Sequence, residues 1–180
     1  MRPNNILLFI LAALIVILSA LITQRSHQSN TFMESSLNGG KLPEFHLPSL
    51  TDPERSVSDQ TLHGRVFLLN FWASWCGACM AEHATFMRIA KQYHIPIFGI
   101  AYKDTPENAK NWLNHFGNPF TVTAMDNDGS LQQKFQMYGL PQTFVVDKKG
   151  LIRLEFMGTM DEDFWIKTVW PKIQEYELEP

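Results

Sequence analysis

Cysteine is what this sequence has least of: two in 180 residues, Cys76 and Cys79. So small a number excludes a disulfide framework. One CxxC also falls short of a structural zinc site, which usually takes four ligands from two CxxC pairs or from CxxC plus HxxxH. Charge is sparse too. Charged residues make up 18% of the chain, the net charge is -3, and no basic run follows the first few residues. Nucleic acid is therefore a poor partner, because phosphate binding needs a clustered positive surface. No GxGxxG, GxxxxGK(S/T) or HExxH pattern occurs, so nucleotide and zinc-protease signals are missing. No repeat or low-complexity tract is visible.

Apolar residues, by contrast, reach 45%, enough for a packed core. The length suits one domain with some extra. The extra is at the start. Ile6 to Ile22 reads ILLFILAALIVILSALI, broken only by Ser19. At 1.5 Å per residue it covers roughly 25 Å, the short end of a spanning helix. A cleaved signal peptide is the other reading. The run is longer than the usual h-region of about 7–15 residues, and a cut after LSA would put bulky Leu18 where a small residue is wanted. An uncleaved anchor at 6–22 is expected, with residues 1–5 cytoplasmic and the remainder exported. Arg2 gives a weak positive-inside bias, and Arg25 weakens it. Residues 23–41 are polar and rich in Gly, Ser and Asn, the composition of a flexible linker. The folded domain is expected over 42–180.

Within that domain EFHLPSL reads as a short edge strand bounded by prolines, and SVSDQTLHGR as a polar connection. Val66 to Trp72 and Ile95 to Tyr102 are near-continuous apolar runs, the pattern of strands buried on both faces. Helical spacing follows the first, from Gly77 to Tyr93. After the second, Asp104 or Thr105 can cap a helix with Pro106 in its first turn and Gly117 as its stop. FTVTAM is a short strand, and DNDGSLQQKFQMYG a loop and helix ending at Gly139. QTFVVDKKGLIRLEFMG is a hairpin turning at residues 147–150. Asp161 to Tyr176 closes the chain as an amphipathic helix, with Pro171 predicting a kink or an early end. This alternation predicts an α/β fold, a mixed sheet covered on both faces, with chemistry at the carboxyl ends of the central strands.

The cysteines sit there, directly after the strand ending at Trp72. A metal site would have to enlist His83, seven residues after Cys76, and a copper-delivering variant a distal histidine such as His115. No motif supports either, so no metal and no cofactor are expected. Free cysteines are often simply buried, but a packing pair has no reason to stand at the start of a helix. A disulfide across two residues closes a tiny loop and gains little loop entropy, so a staple is a poor use of it. The pair reads as a reversible redox couple, Cys76–Cys79. Cys76, at the first helical position and exposed, would have its thiolate favoured by free N–H groups and the helix dipole. Cys79, one turn in and shielded, would resolve the mixed disulfide. Trp72 reads as core and Trp75 as a wall of the site.

FWASWCGAC, together with the downstream GLPQTF, resembles the thioredoxin superfamily. In that superfamily a cis proline faces the active site. Pro141 takes its position, which would present the Leu140 backbone to a substrate strand close to Cys76. The set NFWASWCGACMAEH, YKDTPENAKNWLNHFGNPF, DNDGSLQQKFQMYGLPQTFVVDKKGLIR and VWPKIQEY is similar to the DsbE/CcmG branch, over roughly Leu42 to Tyr176. The resemblance implies a thioredoxin-like domain anchored in the bacterial inner membrane by a single pass and facing the periplasm. It implies reduction of the apocytochrome c disulfide during cytochrome c maturation, and re-reduction by a DsbD/CcdA-type transmembrane donor.

Thioredoxins usually carry a buried Asp six residues before the first cysteine; here Asn70 stands there, and an amide cannot act as base for Cys79. Glu82, one turn beyond Cys79, matches an acid the family places beside its site, and is the candidate proton acceptor. Its bland alternative is a solvated helix glutamate. Gln142 replaces the Glu that often follows the cis proline, and Gly77-Ala78 lacks the proline common between the cysteines of relatives. GNPF matches a family loop, making Asn118 and Phe120 candidate substrate contacts beside Trp75, Leu140 and Gln142. Alternatives are a general TlpA-like thiol reductase and a non-catalytic apocytochrome holder or metallochaperone. A DsbA-like oxidant would need a helical insertion after the first helix, and Tyr93 runs straight into HIPIFGI.

Overall fold

The computed structural model describes residues 12–17, 19 and 37–180. Most of the expected anchor lies outside them. Residues 12–17 are helical, and Leu14, Ile15, Val16 and Ile17 are exposed. Among the described residues no helix is long and apolar enough to cross a membrane.

The chain forms β1 (His46–Pro48), β2 (Ser56–Ser58), β3 (Phe67–Trp72), α1 (Gly77–Gln92), β4 (Ile97–Tyr102), α2 (Pro106–Phe116), β5 (Val122–Asp126), α3 (Leu131–Lys134), β6 (Gln142–Val146) and β7 (Ile152–Met157). A helical tail follows: α4 (Glu162–Phe164), a π-helical turn (Trp165–Val169) and α5 (Trp170–Leu178). The main sheet has the order β5-β4-β3-β6-β7. β3, β4 and β5 run parallel, while β6 and β7 are antiparallel to their neighbours. All six residues of β3 and all six of β4 are buried, which is why both read as near-continuous apolar runs.

Alternation along β3 divides the core in two. Leu68 and Trp72 point into a cluster with Phe86 and Ile89 of α1, Trp112 and Leu113 of α2, and Trp165, Val169 and Ile173 of the tail. Phe67, Leu69 and Phe71 point the other way, onto Phe45, Leu47, Leu62, Phe135 and Met137. The three long helices thus share one face. The second face is covered by the β1–β2 arm, a 3-10 turn (Asp59–Leu62) and the single turn of α3.

Three expectations need correcting. The polar connection 56–65 holds β2 and the 3-10 turn, because pairing with β1 and burial of Val57 and Leu62 outweigh its polarity. Gly39 N–H already donates to Ile152 O, so hydrogen bonding to the sheet begins inside the expected linker. The final helix neither ends nor breaks at Pro171. Trp170 N–H bonds to Trp165 O, five residues back, and this wider turn brings Pro171 into the start of α5, where its missing N–H costs little.

Gly99 in β4 permits the closest packing beneath the site. A Cβ there would lie 2.9 Å from both the Phe120 ring and Trp72 Nε1.

Candidate active site

β3 ends at Trp72, and three residues carry the chain to Cys76, the N-cap of α1. Cys76 Sγ accepts the Cys79 N–H at 3.1 Å and is bonded to Cys79 Sγ at 2.05 Å. Cys76 is only 7% exposed, against the expectation of an open thiol. It joins the core cluster of Trp72 and Ala73, against which Leu140 packs.

The approach loop is tied down by a side chain that sequence reasoning treated only as a possible helix cap. Buried Asp104 accepts Ser74 N–H (2.6 Å), Ser74 Oγ–H (3.0 Å) and Thr105 N–H (2.8 Å). Thr105 is the cap of α2. Lys103 takes φ +46, sparsely populated by residues with side chains, and its carbonyl accepts Trp75 Nε1 at 3.0 Å. Trp75 is thereby held in place while 60% exposed.

Opposite, the Leu140–Pro141 peptide is cis, and Pro141 O accepts Gly158 N–H at 2.9 Å. Leu140 and Trp75 line a cleft of about 270 Å³ with Tyr102, Gln132, Met137, Tyr138 and Gly139. Tyr102 Oη donates to Gln132 Oε1 at 2.7 Å, and Tyr138 is 74% exposed. No local motif marks Tyr138; its signal is proximity to GLPQTF.

One turn of α1 beyond Cys79, Glu82 forms part of a polar island. Glu82 is 2% exposed, so it is no solvated helix glutamate. Asn70 Nδ2 donates to Glu82 Oε1 (3.0 Å) and to Thr143 Oγ1 (2.9 Å), and Met160 N–H donates to Glu82 Oε2 (3.0 Å). Burial pushes the Glu82 carboxyl up to about 8, against the opposing pull of the Met160 and Asn70 hydrogen bonds. Raised to about 8, it is a carboxyl that can take up and give back a proton close to neutral pH. Thr143 and Met160 went unnoticed in the sequence, being apolar-context residues distant along the chain.

The remaining candidates are placed elsewhere. Gln142 is 1% exposed and donates to Glu155 Oε1 at 2.6 Å, so its side chain is turned into the sheet's second face. Phe120 is buried, stacked on Trp72 at 5.3 Å. Asn118 Oδ1 accepts Phe120 N–H, and Asn118 lines a separate cavity of about 130 Å³ that shares no residue with the Trp75 cleft. His83 is buried edge-on to Trp112 with Nε2 3.2 Å from Phe116 O; burial lowers its pKa and keeps it neutral. Among the described residues no group of three or more His, Cys, Asp or Glu could hold a metal ion.

Known proteins are similar to this chain in sequence and in fold. The Redoxin family matches residues 37–169. Thiol:disulfide interchange protein DsbE of Allochromatium vinosum is 39% identical over 135 residues, 75% of each chain. DsbE of Escherichia coli K12 is 34% identical over 181 residues, covering 98% of this chain and 97% of the relative. Among solved structures, a protein described as thiol:disulfide interchange protein DsbE from Chlorobium tepidum superposes with a TM-score of 0.66 at 25% identity, over 79% of this chain and 98% of its own.

Proposed function

The chain belongs to the DsbE family of thiol:disulfide interchange proteins and is a thiol–disulfide oxidoreductase; on that premise we propose that it reduces the CxxCH disulfide of apocytochrome c, freeing both thiols for haem attachment. One observation carries the reading. The Cys76–Cys79 disulfide stands at a helix start, next to Trp75, whose cleft also takes in the residue of the cis Leu140–Pro141 bond.

In the reduced protein the Cys76 thiolate attacks one sulfur of the substrate disulfide. That S–S bond breaks, the other substrate sulfur leaves as thiolate, and a mixed disulfide forms. Cys79 gives its proton to the Glu82 carboxylate, and its thiolate attacks Cys76 Sγ. The mixed disulfide breaks, the second substrate thiolate departs, and the Cys76–Cys79 bond closes. Two electrons have passed to the substrate and Glu82 holds the proton, the state its burial favours. The Leu140 backbone receives the substrate strand beside Pro141, and Trp75 flanks it. Gln142 and Phe120 are buried behind this surface, and exposed Asn118 lines a separate cavity.

The domain works in the periplasm, held by a single-pass anchor at 6–22 in the bacterial inner membrane. The apolar run, interrupted only by Ser19, and the exposed side chains of residues 14–17 support this. A membrane electron carrier of the DsbD or CcdA type restores the dithiol.

The test is a deletion strain together with a Cys79→Ser trap. Loss of c-type cytochromes and capture of apocytochrome c on Cys76 are expected. Intact c-type cytochromes with broad loss of periplasmic thiols would instead indicate a general reductase. Full complementation by Cys76→Ser would indicate a non-catalytic holder.

A further inference from the structure

The buried acid does not hold itself in place. Three groups from different elements meet around Glu82: the Asn70 amide of β3, the Thr143 hydroxyl of β6, and the Met160 N–H ahead of α4. Both bonds of the Asn70 amide leave from one nitrogen, Nδ2, so its two hydrogens are committed, one to Glu82 and one to Thr143. Against the ionised Glu82 such an amide has one orientation. Turned over, it would aim its oxygen at the carboxylate oxygen.

We propose that Asn70 and Thr143 are positioning residues for proton transfer at Cys79: Thr143 fixes the rotamer of the Asn70 amide, and the amide holds Glu82 Oε1. This rests on Glu82 being the proton acceptor. Asn70 donates to the carboxylate, and a donor favours the charged form. It therefore draws Glu82 back toward the range in which the carboxylate can take a proton near neutral pH. An Asp at position 70 could not do this, since a second carboxylate 3 Å away would oppose ionisation of the first. Thr143 lies two residues beyond Pro141, so the same strand that carries the substrate-facing cis bond also sets the acid.

The experiment uses the full chain in detergent, reduced and mixed with 5,5′-dithiobis(2-nitrobenzoate). Cys76 forms a mixed disulfide with one thionitrobenzoate, and attack by Cys79 releases that thiolate in a second, coloured phase. The rate of this phase is read from pH 5 to 9.5. Asn70→Leu, close in shape and without a donor, is expected to raise its pH midpoint by about one unit. Thr143→Val shifts it the same way by less, and Thr143→Ser restores the wild-type midpoint. None of these shifts survives in a Glu82→Gln background, which has no such midpoint.

A folded Asn70→Leu protein with unchanged melting temperature and the wild-type midpoint overturns the proposal, as does a shift that persists with Gln at 82. Should Asn70→Leu not fold, the Thr143→Val and Thr143→Ser pair decides by the same criterion. Retention of the midpoint in Glu82→Gln alone overturns the proton-acceptor reading, and the positioning roles with it.

Discussion

Two buried acids at opposite ends of the sheet show how differently a carboxylate can be used. At the hairpin end, Asp147 is 3% exposed and accepts Lys149 N–H, Leu151 N–H and Arg153 Nη1 at 2.9, 2.9 and 3.0 Å. Arg153 also clamps Glu179 through both nitrogens, at 2.6 and 2.8 Å, and lies 4.2 Å over the Tyr176 ring. Arg153 holds Glu179 below the ordinary carboxylate range and is itself held above the guanidinium range. These contacts tie the hairpin to the C-terminal segment. At the active-site end, Glu82 is as deeply buried, but among the described residues no cation pairs with it. Burial without a counter-ion makes it the group that titrates near neutrality. Between these two acids, the one with a charge partner is part of a structural clamp and the one without is the proton site.

The comparison can be broken most directly at the cysteines. Cys76→Ser should reduce disulfide reduction to background in a coupled assay, while leaving the hairpin clamp and the melting temperature of the reduced protein unchanged. Next comes Glu82→Gln. Glu82 is raised in the fold from an ordinary 4.5 to about 8, so the folded protein binds the extra proton between these values. The contribution of Glu82 to stability is then fully present below about 4.5 and is lost as pH rises to about 8, by on the order of a few kcal/mol. Glu82→Gln should flatten that loss in denaturant titrations and slow resolution by Cys79 by about a hundredfold. Gly99→Ala should destabilise the domain by about 1–3 kcal/mol, read as a lower melting temperature, because its Cβ meets Trp72 and Phe120. The smallest effect is expected of Arg153→Met, a loss of about 1 kcal/mol that shrinks in high salt. It should leave the pH midpoint of thiol release untouched. A shifted midpoint would mean that the two ends are coupled.

Much of this was readable in the chain because it depends on near neighbours. Near-continuous apolar runs give β3 and β4, and Thr105, Pro106 and Gly117 bound α2. The spacing of Cys76 and Cys79 after a buried strand marks a redox couple. Trp75 and Leu140 follow from their places beside the two motifs. The failures share one cause. Gln142 and Phe120 stand in motif positions, but which face of the sheet a side chain enters is set by packing, and both are turned inward. Cys76 reads as exposed from helix geometry alone, whereas the core cluster of Trp72 and Ala73 takes it in.

By itself, then, the sequence settled the redox pair, its place at a helix start, and the family, since each is written in contiguous residues. The chemistry of the acid was decided only by the tertiary structure. Asn70 and Thr143 are 73 residues apart and Glu82 and Met160 are 78 apart, and all four must converge in the buried interior. Desolvation is a property of everything packed around a group, and no stretch of chain carries it alone.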